Sequence, residues 1–419
     1  MGRVELGIGL MILVVLLAET SRADLATAQS SPSPSVPPLA KECSQEGFAA
    51  VQELLVSAVA EGRSRAGIAM LSEAGCPTWI GTAGEMTRGI PMRNDAILPL
   101  ASVGKMFTAT AAMILLERGV IALDDPVSRY IPEFSNVRIA AATGSGEPEF
   151  VPPDRPITLF HLLTHTSGLT VTGDEFWAAW YANVAKTTTT HFARELAAMP
   201  LEAQPGTLFN YGQTGAAYEV LGAVIEIASG QTLEDFMTIN IFQPMGLDDS
   251  YFYLPEAKSE RLPEVYRNVD GVLVLDRPLG EDFSRSTFFH GGGGVRSSPT
   301  DILRFARMFL DNGSVDGVQI LKPETVALMM SDQLGGLAPE RWKSSGRSWG
   351  FGASVKYAPD EAESGVPDRY GWVGGGFAKL WVDPRRRLVA YINFPLTPPG
   401  DNDLLQAFEE RVYEVFDGS

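Results

Sequence analysis

Apolar positions recur at two different periods along this chain, and the periods occupy separate zones. Between 45 and 62, Phe48, Val51, Leu55 and Ala58 fall on one face at helical spacing, which predicts an amphipathic helix. The stretches "AGIAMLSEAG" and "PTWIGTAGE" then read as two short strands. Near the other end, "WGFGASVKYA", "YGWVGGGFAKLWVD" and "RRRLVAYINF" predict three strands, the last two joined at Asp383-Pro384, and "DNDLLQAFEERVYEVF" predicts a final amphipathic helix. The middle of the chain is mostly helical in pattern. Strands at both ends with helices between predict an α/β (α+β) fold: an antiparallel sheet built from both termini and flanked by helices, with an inserted, mostly helical subdomain. No sequence repeat is visible, which argues against a solenoid.

Composition narrows the function classes. A chain of 419 residues with 45% hydrophobic content can bury a large core. Its formal net charge of −18 argues against nucleic acid, whose phosphates need a surface dominated by Lys and Arg. At the start, Arg3 precedes an uncharged apolar run, Leu6 to Ala18, followed by the small residues Ala26-Thr27-Ala28. This predicts a signal peptide over 1–28 and an exported protein, periplasmic or secreted. The run is shorter than the roughly 20 apolar residues of a spanning helix, so a membrane is expected as partner only if the leader stays uncleaved. Residues 29–41 are a Pro/Ser-rich linker with nothing to form a core, leaving 42–419 as the folded domain. The two cysteines, Cys43 and Cys76, can pair in an oxidising compartment or stand as separate thiols, and the sequence leaves both open.

Candidate chemistry enters with "LPLASVGKMFTATAAMILLERG", residues 98 to 119. Ser102 and Lys105 are three apart at the start of a helix, so they share a face, and the amine reaches the hydroxyl. In its neutral form such an amine can act as a base, and the N–H groups and positive field of a helix N-terminus favour an oxyanion beside Ser102. The helix itself is apolar almost all round, which predicts burial, and Gly119 is placed to cap its C-terminus. Read alone, the pair also fits a helix N-cap followed by a surface lysine.

The surrounding motifs decide between these. "LASVGKMFTA", "PITLFHLLTHTSGL", "PGTLFNYGQTG", "GGGGVRSSPTDILRFARMFLDNG" and "GWVGGGFAKLWVDP" occur in the order found in serine β-lactamase-like hydrolases. The chain resembles this superfamily of class C β-lactamases, penicillin-binding carboxypeptidases and related esterases over about residues 45 to 415. The resemblance implies that Ser102 is the acyl-accepting nucleophile, Lys105 its base or proton relay, and Tyr211 the tyrosine that moves a proton to the leaving group. It implies an oxyanion hole from the backbone N–H groups of Ser102 and Gly375, and substrate contacts from Gln213, Trp372 and Gly374. Tyr218 competes with Tyr211, but Tyr211 stands where the resemblance expects it after Pro205-Gly206.

Two departures bear on substrate. The usual Tyr-x-Asn reads Tyr211-Gly212-Gln213, and the usual Lys-Thr-Gly or His-x-Gly reads Trp372-Val373-Gly374. No cation stands there to hold the carboxylate of a penicillin. Arg285 and Arg296 are alternative cations, both expected on the solvated surface.

Other motifs weaken on inspection. His161 and His165 have the i, i+4 spacing of zinc ligands, yet Leu162 occupies the place of the glutamate in His-Glu-x-x-His, so structural roles are expected and no metal or cofactor. Gly346-Arg347-Ser348-Trp349-Gly350 matches the nucleophile elbow of α/β-hydrolases, but every His precedes it and a strand follows, so Ser348 reads as a loop residue. The run Gly291 to Gly294 lacks the Lys-Ser/Thr of a phosphate loop. Close backbone approach explains its glycines, the resemblance makes it a strand lining the site, and Ser298 caps the next helix. Trp177, Trp180 and Tyr181 form either a wall over the pocket or part of the core. The expectation is an exported serine hydrolase acting through an acyl-enzyme on a small ester. An amide substrate, as for a β-lactamase or D-amino-acid peptidase, is the alternative, and a catalytically silent binding protein a third reading.

Overall fold

The two ends of the chain meet in one sheet. The computed structural model describes residues 45–141, 149–170, 187–211, 216–277, 286–357, 367–397 and 400–417, so the leader, the linker, Gln213, Arg285 and the segment holding Trp177, Trp180 and Tyr181 lie outside the described residues. Strand β1 (Ala66–Ser72) hydrogen-bonds antiparallel to β2 (Trp79–Thr87), and β2 to β3 (Ile90–Pro91). From the other end come β4 (Arg347–Trp349), β5 (Ser354–Lys356), β6 (Arg369–Gly374), β7 (Ala378–Asp383) and β8 (Leu388–Asn393). They add to give the order β4-β5-β6-β7-β8-β1-β2-β3, closed where Ile68 pairs with Asn393 and Ser72 with Val389. β1 and β8, the pair that joins the two sets of strands, are buried along their whole length, which is why both read as continuous small or apolar runs.

Helices cover the sheet as the apolar periods require. Helix α1 (Gln45–Ala60) buries Val51, Leu55 and Ala58 and packs on β1, β2 and the C-terminal helix (Asn402–Asp417), while Phe48 stacks on Trp79. Helix α2 (Lys105–Glu117) is buried from Lys105 to Leu115, and Gly119 follows it at φ +67°. Its Phe107 stacks face to face with Phe305 of the helix Pro299–Leu310, whose N-cap is Ser298, accepting from the Asp301 N–H. That helix packs on β1, β7 and β8. A C-terminal turn closes on Asp383, whose Oδ1 accepts the N–H groups of Arg385 and Arg386 at 3.0 Å.

The structure corrects several expectations. The middle of the chain also holds hairpins, among them Ile139–Ala141 with Glu149–Val151 and Val265–Val269 with Val272–Arg277. "YGWVGGGFAKLWVD" is a hairpin, because Gly375 and Gly376 take positive φ and reverse the chain. "WGFGASVKYA" splits in two at Gly352, at φ +93°, where a Cβ would stand 2.8 Å from that of Ala109. Ser348 lies in strand β4, not a loop, and its hydroxyl donates to Asp332 Oδ1. Gly291 to Gly294 forms a turn closed by bonds to the His290 carbonyl rather than a strand. Cys76 is disulfide-bonded, and Cys43 lies outside the described residues.

Candidate active site

Ser102 sits in a one-turn 3-10 helix, Ala101–Gly104, that runs straight into α2. The residue before it, Ala101, holds φ +45°, a conformation L-residues avoid, so neighbouring backbone must enforce it. Two glycine segments do so by close approach. A Cβ on Gly293 would stand 2.8 Å from the Ala101 carbonyl carbon, and one on Gly374 would stand 2.3 Å from the Leu100 oxygen. The glycine turn and the end of β6 therefore clasp the serine's turn from two sides.

Lys105 opens α2 and is buried. Its Nζ lies 3.0 Å from Ser102 Oγ and donates to the Gly292 carbonyl oxygen at 2.8 Å. It also lies 5.2 Å from the centre of the Tyr211 ring. One amine thus contacts the serine hydroxyl and lies over the tyrosine ring.

The Gly292 carbonyl is itself fixed from behind. Glu219, on helix Ala217–Ser229, is fully buried, and its carboxylate accepts the N–H groups of Gly291 and Gly292, each at 3.0 Å. The His290 Nδ1 lies 2.5 Å from the same carboxylate, and the Thr108 hydroxyl donates to the Gly291 oxygen at 2.6 Å. A buried carboxylate is costly unless its lone pairs are filled, and the two glycine N–H groups and the His290 contact fill them.

Tyr211 is held by the loop before it. The Gly206 N–H donates to the Thr166 oxygen at 2.7 Å and the Asn210 N–H to the His165 oxygen at 3.1 Å, so "HLLTHTSGL" is the scaffold of the 205–211 loop. His165, at φ +54° and buried, packs edge-on against the Tyr211 ring and stacks on Tyr218. Trp349 and Trp372 complete the cage, their ring centres 5.5 and 4.7 Å from that of Tyr211. The Trp372 Nε1–H donates to the Tyr211 hydroxyl at 2.7 Å. Tyr218 is a core residue: it is fully buried, burial raises its pKa well above the ordinary phenol value, and its hydroxyl donates to the Leu163 oxygen at 3.0 Å.

The structure therefore gathers Ser102, Lys105, Tyr211, Trp372 and Gly374, with Gly375 in the turn just beyond. The histidines serve structure: the Thr158 N–H donates to His161 Nδ1 in a capping box. Arg296 is half-buried, not on the solvated surface, and donates to the Phe252 oxygen at 2.5 Å. Sequence reasoning passed over Glu219, Trp342, Trp349 and Arg347. For Glu219 the signal was present, a single acid inside the apolar run "AAYEVLGAVI". For the tryptophans it was their density in "ERWKSSGRSWG", read only for its serine.

Comparison with known proteins gives the family and the fold. The Beta-lactamase family model matches residues 51–412. Esterase EstB of Burkholderia gladioli is 33% identical over 327 residues, covering 71% of this chain and 76% of EstB. Penicillin-binding protein 4 of Amycolatopsis lactamdurans is 30% identical over 312 residues, covering 72% of this chain and 73% of that protein. Among solved structures, EstCE1, a hydrolase with promiscuous acyltransferase activity, aligns with a TM-score of 0.71 at 25% identity, covering 88% of this chain and 99% of its own.

Proposed function

Since the chain belongs to the Beta-lactamase family and is a serine hydrolase of that fold, we propose that it is an exported esterase that passes small acyl groups through Ser102 to water. Lys105 Nζ takes the Ser102 proton as Oγ attacks the ester carbonyl, and the carbonyl electrons move onto oxygen. The backbone N–H groups of Ser102 and Gly375 hold that oxyanion; losing one such donor commonly costs on the order of 3 kcal/mol. On collapse the C–O bond breaks and the alkoxide leaves with a proton passed from Lys105 through the Tyr211 hydroxyl. Water then attacks the acyl-enzyme by the same relay in reverse.

The observation that carries the ester reading is Trp372. Its indole occupies the place of the carboxylate-holding cation in the resembling lactamases, and it spends its N–H on Tyr211. Export is supported by the leader pattern and by the disulfide at Cys76. The penicillin-binding relative favours a second reading, amide hydrolysis with the same residues.

Rates for a short p-nitrophenyl ester and a chromogenic cephalosporin separate the two. Ester turnover with the cephalosporin ignored supports the esterase. Preference for the cephalosporin overturns it.

A further inference from the structure

A second pocket lies beyond Trp372, and its chemistry is unlike that of the Ser102 site. It encloses about 210 Å³ and is lined by Arg347, Lys356, Arg369 and Lys379, with Trp372 as the wall it shares with the Tyr211 cage. The four cations come from neighbouring strands: Arg347 pairs in register with Lys356, and Lys356 with Arg369, while Lys379 stands opposite Val373. In a chain of net charge −18, such a row is unexpected unless something offsets it.

Among the described residues the protein's own acids offset only part. Glu409, on the C-terminal helix, takes both Arg369 and Lys379. Asp368, paired with Arg385 at 3.1 Å, and Glu410, which accepts from the Gln406 amide at 2.9 Å, act on Lys356 and Lys379 only through space. Among the described residues neither Arg347 nor Lys356 has a carboxylate partner, and the buried Arg369 Nε–H has no hydrogen-bond partner. The Arg347 guanidinium is already ordered: it lies 4.9 Å from the Trp342 ring centre and 5.3 Å from that of Trp372, and Nη2 donates to Ser354 Oγ at 3.3 Å. A guanidinium stacked on indoles keeps its N–H edge for a ligand and loses little entropy on binding one. Burial, then repulsion from Arg347, Arg369 and Lys356, pulls the Lys379 ammonium down to about 7.

We propose that this pocket is a binding site for a small multivalent oxyanion, held by Arg347 and Lys356 and separated from the acyl site by the Trp372 indole. The chemistry is shared by inorganic oxyanions and by small organic di-acids. Charge-assisted, partly bidentate bonds to two cations that have no carboxylate partner among the described residues are the strong kind. An anion there also draws Arg347 against Trp372, and Trp372 bonds Tyr211, so occupancy bears on the acyl site through one residue.

The test uses the full mature chain carrying Ser102→Ala, so its outcome does not depend on any esterase activity. Titration calorimetry at constant ionic strength in chloride compares sodium sulfate with sodium succinate, and wild-type pocket with Arg347→Met and Lys356→Met. Saturable one-to-one binding that weakens at least tenfold in each variant supports the site. The tighter of the two anions tells an inorganic from an organic occupant. No saturable binding of either anion overturns the proposal, as does binding that both variants leave unchanged. Lys356→Met guards against misfolding at Arg347, whose guanidinium lies over the Trp342 and Trp372 rings.

Discussion

The indole N–H of Trp372 donates to the Tyr211 hydroxyl at 2.7 Å. The tyrosine proposed to carry a proton is thereby held through its oxygen, and its own O–H stays available to point toward Lys105 and the substrate. A donor fixed in this way sets where the phenol stands and helps bear negative charge on it.

Trp372→Phe keeps the ring and removes the N–H. One hydrogen bond contributes about 1 kcal/mol, more when charge develops on the acceptor, so kcat for a p-nitrophenyl ester should fall about tenfold with KM little changed. An unchanged kcat would mean the bond is only packing.

Glu219 is expected to act at one remove from the chemistry. Glu219→Gln retains one acceptor for the glycine turn and puts an amide N–H against the other donor, so the Gly292 carbonyl loses its register and Lys105 its anchor. Turnover per active site, counted by acyl burst, should drop 10- to 100-fold, while the pH profile of kcat shifts with the displaced amine. A purely structural glutamate would lower the folded fraction and leave turnover per burst-titrated site as it was.

Much of the frame was legible in the sequence. α1, β1, β2, the C-terminal helix and the joining of both termini follow from apolar period and turn residues, which act locally. Ser102 and Lys105 could be paired from spacing because a helix turn fixes them. Tyr211, by contrast, reaches the site through a loop anchored on Thr166 and His165, and nothing local in "PGTLFNY" encodes that distance; it came from resemblance. Glu219 was missed because its partners are backbone N–H groups more than 70 residues away, and backbone leaves no mark in a sequence. The split of "YGWVGGGFAKLWVD" into a hairpin was missed because its glycines were read for the site and not for the chain reversal that positive φ allows.

His161 gives the stability a pH dependence. Burial, reinforced by the charge of Arg155, lowers its pKa from 6.5 to about 4. Between those values the unfolded chain binds a proton that the folded chain refuses, so stability is unaffected above about pH 6.5 and is lost as pH falls toward 4, by roughly 3 kcal/mol in all. In urea unfolding across this range, His161→Gln should show a shallower fall than wild type. Parallel profiles would remove His161 from the account.

The central claim is that acyl groups pass through Ser102. The most direct measurement is acid-quenching during turnover of p-nitrophenyl butyrate, followed by peptide mass spectrometry. The account predicts one butyryl group on the peptide containing Ser102, absent in Ser102→Ala, whose turnover is lost. A butyryl group on the Ser348 peptide instead, or turnover surviving in Ser102→Ala, would contradict it.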